Sequence, residues 1–452
     1  MLSLNQLKKL YTNSPLWMKI FYASIPFDIR NGKEYRNWRE FLSKEIDIEE
    51  YELFKIKESV LYAYENTKYY RDLFIKLDIN PHDIKSKQDF QKIPIIDKDI
   101  VRQNYNDFLV TDFPKKKILK VTTGGSSGTP MEYIQSKNVW SKELAYYMNF
   151  CAKSGYTASM IKASFRGGHF TKLTKDIYWV YNPVNNEMIF SPAHLSENTI
   201  LKYVKELNKI KPSFFHGITS AIIFLMYHME KKNLKFNFKI DAIFLVSESF
   251  TREDIEKIST YFNCKVASTY GHSERLVFAE SIGNAISDYK INRTYGFFEL
   301  IDEDNNSINI NNLKAEVIGT GFDNYAMPLL RYKTGDFTSF KDVHNGIINL
   351  VESSRSQLYI DCNDDSKISF PSFINTPEML KLGIVKYQVI QNKVGKVKLY
   401  IIPSELFSKK NEQKLILSLN SRVNGRLNFE IIITNKLFFT DRGKCKLLIK
   451  EY

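Results

Sequence analysis

Residues 213–271, SFFHGITSAIIFLMYHMEKKNLKFNFKIDAIFLVSESFTREDIEKISTYFNCKVASTYG, alternate short apolar runs with amphipathic stretches. SFFHG, AIFLVSES and CKVASTYG are short and rich in β-branched or aromatic residues, which predicts strands. Between them, 219–232 and 252–262 carry apolar residues at helical spacing. This alternation predicts an α/β domain built on a parallel sheet with flanking helices.

The pattern extends in both directions. Upstream, ILKVTT and KASF read as strands, with helices around 139–154 and 196–210. Between Gly296 and Asn349 the helices stop, and FFELID, NSINI, KAEVIGTG, LLRYKTGDF and GIINLV form a meander between turn residues, predicting a β-rich subdomain. Residues 47–112 are helical in pattern and punctuated at Asn80-Pro81, Ile93-Pro94 and Phe113-Pro114. Beyond about Ser356, a hairpin (KYQVIQNKVGKVKLYIIP), a helix (NEQKLILSLNSRV) and a strand (NFEIIIT) predict a small α+β domain. The expected division is therefore 1–115 as the helical part of a large N-terminal domain, 116–354 as its core, and 355–452 as a mobile C-terminal domain.

Composition narrows the function classes. A chain of 452 residues with 43% hydrophobic residues has ample material for a core, which excludes bulk disorder. The net charge of +13 (64 basic against 51 acidic residues) favours anionic partners. Because the bases are interleaved with acids, a dedicated nucleic-acid surface is not expected. Cys151, Cys264, Cys362 and Cys445 lie far apart without a CxxC pair, so neither zinc nor a redox pair is expected, and reduced thiols predict a cytoplasmic protein. The opening MLSLNQLKKLYTNSPLWMKIFYASIPF lacks a signal-peptide core, and no run of about 18 apolar residues predicts a membrane span.

Four segments can carry chemistry. TTGGSSGTP, 122–130, follows a predicted strand; its glycines and hydroxyls can present successive donors to a polyphosphate, and they equally fit a solvated turn. It lacks the GxxxxGK[ST] pattern of a P-loop. In ASTYGHSER, Tyr270 can flank a base, and Ser273 with Glu274 can hold a hard cation bound to phosphates or form an N-cap pair opening a helix. In PLLRYKTGDF, Asp336, read as lying in a turn after Gly335, can accept both hydroxyls of a ribose or initiate that turn. In TDRGKCKLLI, Lys444 on a Gly hinge can neutralise charge between a carboxylate and a phosphate, or is a surface lysine.

Together and in this order, these segments resemble the core signatures of the adenylate-forming ligases: T-S-G-[ST]-T-G-x-P, Y-G-x-[ST]-E, [RY]-x-T-G-D, the hinge G-R-x-D (here SRSQ, 354–357) and the C-terminal G-K-x-x-[RK]. TKYYRDLF, KIPIIDKDIVRQNY, KPSFFHGITSAI, YGHSERLVFAE and NYAMPLLRYKTGDF resemble the phenylacetate-coenzyme A ligase branch, including CapK-like proteins encoded with capsular polysaccharide genes. The resemblance runs from about Thr67 to the C-terminus.

The resemblance implies that Thr123, Ser126, Ser127, Gly128 and Thr129 close on the β- and γ-phosphates of ATP. It implies that Tyr270 and Gly271 pack by adenine with Ser247 and Glu248, that Ser273 contacts the α-phosphate and that Glu274 holds Mg²⁺. Asp336 and Arg355 would hold the ribose, Lys444 would be the adenylation lysine and Gln357 the hinge. Phe165, His169, His216 and Gly217 lie where the branch builds its acyl pocket. Gly124, Ser354, Gln357 and Leu358 depart from the usual pattern; the first removes one hydroxyl donor and the others alter the hinge. The implied activity is conversion of a carboxylic acid and ATP to acyl-AMP and pyrophosphate, followed by transfer to a thiol, coenzyme A in the simplest case. A sugar amine or hydroxyl or a carrier protein is the alternative acceptor, a silent nucleotide-binding scaffold is the alternative class, and relatives suggest a homodimer.

Overall fold

The computed structural model describes residues 10, 14–122, 131–166, 177–246, 252–283, 288–350, 359–374, 378–379, 382–404, 407–434, 437–438 and 447–452. The N-terminal part is helical: α1 (Leu16–Ser24), α2 (Gly32–Phe41), α3 (Ile48–Asn66) and α4 (Lys68–Lys76), followed by short helical turns. Local chemistry sets these boundaries. Asp47 caps α3 by accepting from the Glu50 N–H, and Glu49 and Glu50 sit in its first turn, where the helix dipole favours negative charge. Ile56, Val60 and Ala63 follow at helical spacing and are fully buried. Thr67 then ends α3 and caps α4, accepting from the Tyr70 N–H.

A hairpin of β1 (Ile118–Thr122) and β2 (Glu132–Ser136) precedes α5 (Lys137–Ala152). The main sheet has twelve strands. Its parallel part comprises β3 (Lys162–Phe165), β5 (Glu187–Phe190), β6 (Phe214–Gly217), β7 (Ala242–Leu245) and β8 (Lys265–Gly271), with β4 (Trp179–Asn182) as an antiparallel edge. Helices α6 (Ile200–Ile210), α7 (Thr219–Lys231) and α8 (Arg252–Phe262) make the crossovers. The sheet then turns antiparallel through β9 (Phe278–Ser281), β10 (Asp288–Ile291), β11 (Gly296–Ile301), β12 (Ala315–Gly321), β13 (Tyr332–Asp342) and β14 (Ile347–Asn349). The parallel sheet and the meander expected from the sequence are thus one continuous sheet. NSINI contributes a single bridge, Ile301 to Ser307, in place of a strand.

Close backbone approach explains one glycine. A Cβ on Gly296 would lie 1.9 Å from the Leu276 carbonyl oxygen, so the chain entering β9 lies flat on β11 only because this side chain is missing. Gly296→Ala should therefore lower the unfolding free energy by about 3 kcal/mol or more in urea melts, against a change within about 0.5 kcal/mol at an exposed position.

The C-terminal residues form a separate core. β15 (Tyr359–Asp361) pairs with β16 (Lys367–Ser369), and a four-stranded sheet runs in the order β19 (Asn428–Ile433), β18 (Lys396–Pro403), β17 (Ile384–Lys393), β20 (Leu448–Lys450). Helix α9 (Lys409–Val423) covers it with Leu415, Leu419 and Val423, four residues apart and buried. Ser408 caps its start and Asn424 (φ 47°) ends it in the left-handed conformation.

Candidate active site

In open α/β sheets, ligands bind beyond the carboxyl ends of the parallel strands. Here β3, β6, β7 and β8 end side by side: Phe165 pairs with Gly217, Gly217 with Leu245, and Leu245 with Ser268, three residues before the end of β8. The sequence candidates Phe165, His216, Gly217, Tyr270 and Gly271 therefore share one edge.

Ser273 and Glu274 lie in the turn joining β8 to β9, whose hairpin pairs Tyr270 with Ala279 and Gly271 with Phe278. No helix starts there, so the N-cap alternative is excluded. Arg275 adopts φ 57°, and its N–H closes the turn on the His272 carbonyl at 3.0 Å. Asp336, expected in a turn, lies instead within β13, just after Gly335 (φ 74°), where the register with β12 shifts. This bulge re-aims the strand, a common device beside functional sites.

Each carboxylate accepts from a tyrosine of the other's segment. Tyr270 Oη donates to Asp336 Oδ2 at 3.1 Å, and Tyr332 Oη donates to Glu274 Oε1 at 3.3 Å. Asp336 is buried, and its N–H donates to Thr334 Oγ1 at 3.1 Å, whose hydroxyl donates to the Val317 carbonyl at 2.8 Å. β2 braces the turn from the other side. Gln135 Nε2 donates to the Ser273 carbonyl at 2.8 Å, and Tyr133 Oη donates to the same oxygen. Arg275 lies 4.1 Å from the Trp140 ring and pairs with Glu143 at 3.0 Å. The strand that follows 123–130 is thus bonded to the Ser273-Glu274 turn. Sequence reasoning missed Tyr133, Gln135, Tyr332 and Arg275 as parts of the site; for Tyr332 and Arg275 the signal was their place inside the quoted segments.

At the opposite flank, His216 is buried, and burial, with Lys162 and Arg166 nearby, pushes its pKa down to about 3, so it is a neutral imidazole. Glu187 is fully buried. Burial opposes its charge, but Arg166 (2.8 Å), Lys162 and the Ser164 hydroxyl (2.7 Å) more than offset this and hold its pKa down to about 2. With the folded pKa below the ordinary 4.5, this stabilisation is complete above about pH 4.5 and is lost as pH falls towards 2. The stability gap between wild type and Glu187→Gln should therefore be on the order of 2–3 kcal/mol at neutral pH and close in acid melts over that window.

Thr123, Ser126, Ser127, Gly128, Thr129, His169, Ser247, Glu248, Arg355, Gln357 and Lys444 lie outside the described residues. A cavity of about 320 Å³ between α3 and β11, lined by Glu52, Lys87, Arg293 and Phe297, contains none of the sequence candidates. Arg293 and Lys87 pair there with Glu49 and Glu52, which ties α3 to the sheet. Cys151 and Cys264 are pushed up to about 12 by burial and Cys362 to about 11, so these three thiols are poor nucleophiles. Among the described residues, no helix is long and apolar enough to cross a membrane.

Comparison with known proteins gives a consistent picture. The CapK C-terminal domain family matches residues 361–451. Protein CapK of Staphylococcus aureus is 26% identical over 98% of this chain and 99% of its own length. A phenylacetate-coenzyme A ligase of Aromatoleum evansii is 23% identical over 64% of this chain and 65% of its own. A crystal structure of 2-hydroxyisobutyryl-CoA ligase, with 2-HIB-AMP and CoA, shares the fold at a TM-score of 0.60 and 16% identity, covering 89% of each chain. With the ordered signatures and the hairpin turn at Ser273-Glu274, these matches support an adenylate-forming ligase of the branch of CapK and the phenylacetate-coenzyme A ligases.

Proposed function

We propose that this protein activates a carboxylic acid with ATP and passes the acyl group to a thiol, coenzyme A. A carboxylate oxygen attacks the α-phosphorus, the bond to the β-phosphate oxygen breaks, and pyrophosphate leaves. The thiolate then attacks the acyl carbon, AMP leaves, and the thiol proton goes to solvent. The observation that carries this reading is the bracing of the Glu274 turn from two sides, by β2 and by Tyr332, with Asp336 of β13 held by the Tyr270 hydroxyl at the end of β8.

In this reading Tyr270 lies by adenine, Asp336 and Arg355 hold the ribose, and the 123–129 loop holds the terminal phosphates. Ser273 contacts the α-phosphate, Ser247 and Glu248 lie on the adenine side, and Lys444 meets the reacting oxygens, with Gln357 at the hinge. Glu274 offers a carboxylate at an oxygen-rich turn, which suits a hard ion such as Mg²⁺. When bound, Mg²⁺ supplies neutralisation of phosphate charge. Phe165, His169, neutral His216 and Gly217 border the acyl group. Neutral His216 can donate or accept a hydrogen bond there without adding charge.

Removing the Tyr270 hydroxyl deletes one hydrogen bond that holds the Asp336 carboxylate. Tyr270→Phe should raise the KM for ATP about tenfold with kcat changed less, since one hydrogen bond to a charged group contributes about 1.5 kcal/mol or more. Steady-state kinetics with varied ATP checks this.

The segments that resemble CapK-like proteins encoded with capsular polysaccharide genes support a second reading, in which the acceptor is a sugar amine or hydroxyl or a carrier thiol. Coenzyme A titration separates the two. Saturable stimulation with one AMP released per thioester supports coenzyme A; acyl-adenylate formation unaffected by coenzyme A rejects it.

A further inference from the structure

A polar cluster lies at the carboxyl edge of the parallel sheet. Ser164 of β3 and Arg166, one residue beyond its end, share a face by strand alternation, and Ser164 is paired in register with His216 of β6. Glu187 of β5 joins them. It accepts from the Ser164 hydroxyl, from Arg166 Nη2 through both oxygens (2.8 and 3.1 Å), and from the side-chain amides of Asn182 and Asn185 at 2.9 and 3.1 Å. These bonds use the lone pairs of Glu187, so its part in the cluster is to fix Arg166.

Two groups keep unused hydrogen-bonding capacity. Arg166 is 41% exposed, and among the described residues its Nε and Nη1 have no hydrogen-bond partner. His216 is 6% exposed, with the Tyr147 ring 5.8 Å away and Arg166 near enough to lower its pKa. Its Nδ1 is enclosed without a partner, whereas Nε2, also without one among the described residues, is not enclosed and is the ring nitrogen still open to a ligand. Buried polar side chains are nearly always paired, so an almost fully buried imidazole left open beside a fixed guanidinium marks the place of a ligand's polar group.

Charge selects that group. The Arg166 cation is balanced by Glu187, and His216 is neutral. The Lys162 ammonium, whose pKa burial pushes down, meets the Tyr156 ring at 5.3 Å. A second carboxylate would bring unbalanced charge to this edge. A hydroxyl accepts from Arg166 and bonds Nε2 without adding any. A plain aliphatic or aromatic chain would leave both protein groups unpaired.

We propose that the acid activated here carries a hydroxyl on its acyl chain, held by His216 Nε2 and Arg166, so that the protein prefers hydroxylated carboxylic acids to their deoxy counterparts. This rests on the proposed acyl activation, in which His216 borders the acyl group.

The test measures kcat/KM by hydroxylamine-trapped hydroxamate for matched acids: butyrate against the hydroxybutyrates, phenylacetate against mandelate and the hydroxyphenylacetates, hexanoate against gluconate. In wild type, a hydroxylated acid is expected to exceed its parent about a hundredfold or more, since a site built to bond a hydroxyl rejects the analogue that lacks it. His216→Phe should lower that ratio at least about tenfold. His216→Gln, which restores a hydrogen-bonding group, should keep more of it. The ratio compares two acids on one enzyme, so a general loss of folded protein does not move it. Parents that match or exceed all of their hydroxylated counterparts in wild type would overturn the proposal without any variant. So would a ratio unchanged in His216→Phe, which would assign the imidazole to the reacting carboxylate or to packing. Hydroxamate from no acid at all would instead remove the activation chemistry itself, and the inference with it.

Discussion

Glu274→Ala is expected to lower acid-dependent AMP formation by about two to three orders of magnitude while leaving the thermal midpoint close to wild type. The rate effect follows from position: Glu274 is the one carboxylate in the β8–β9 turn, and the turn is braced through the Ser273 carbonyl by Tyr133 and Gln135 and through the side chain by Tyr332. The small stability effect follows because the bracing bonds to Ser273 and the Arg275 contacts with Trp140 and Glu143 survive the change. A loss of kcat tenfold or less would remove Glu274 from the chemistry. Glu274→Gln separates charge from shape, since it keeps the Tyr332 partner and loses the anion. Rates with Glu274→Gln as low as with alanine identify the charge as the needed property.

Asp323→Ala is expected to cost about 3–5 kcal/mol in urea unfolding, the largest stability effect of any single change considered. Asp323 is buried between Lys55 of α3, at 3.1 Å, and Lys142 of α5. Burial pushes its pKa up, and the two ammonium groups more than reverse this, so the carboxylate is held below its ordinary range. Lys142 also donates to the Tyr295 carbonyl at 2.6 Å and lies 4.7 Å from the rings of Trp38 and Tyr295. Alanine would leave buried Lys142 without its carboxylate and Lys55 with Glu58 alone. The depressed pKa also sets the pH sign: this contribution is complete above the unfolded-state value of about 4 and declines as pH falls below it. Replacing all three by apolar residues, Lys55→Met/Asp323→Leu/Lys142→Met, should recover most of the loss, because buried ionic groups give little net stability over well-packed apolar ones. A loss under about 1 kcal/mol for Asp323→Ala would show that water reaches the lysines.

The two predictions are linked through one strand. Next to Asp323, Asn324 accepts from the Ser136 N–H at 2.9 Å and donates to the Ile134 and Met327 carbonyls at 2.9 Å, which fixes β2. β2 in turn holds Ser273. The buried charges therefore support the base on which the Glu274 turn is positioned.

Much of this was legible in the sequence because the signals are local. Helix α8 begins and ends at Arg252 and Phe262 as its periodicity predicts, and the C-terminal hairpin, helix and strand appear in the predicted order. The four-residue strands β4 and β5 escaped because WVYN and EMIF are too short to show a period, and neither alternates cleanly in burial. Asp336 was placed in a turn because Thr-Gly-Asp is turn chemistry, whereas the glycine's positive φ is used inside a strand at a bulge. Ser273-Glu274 admitted a helix cap because hydroxyl-carboxylate pairs serve both ends; the antiparallel return of β9 decided for a hairpin. The partners of the site were hidden by separation: Gln135 reaches Ser273 across 138 residues, and Tyr332 reaches Glu274 across 58.

The most direct measurement is release of AMP and pyrophosphate from Mg-ATP across aromatic, aliphatic and sugar-derived carboxylic acids, with hydroxylamine as trap, in wild type and Lys444→Ala. The expected result is turnover that requires a particular acid, yields its hydroxamate in step with AMP, and falls about a hundredfold or more without the Lys444 ammonium. AMP formation that is independent of acid, or equal in Lys444→Ala, would contradict acyl-adenylate chemistry at this site.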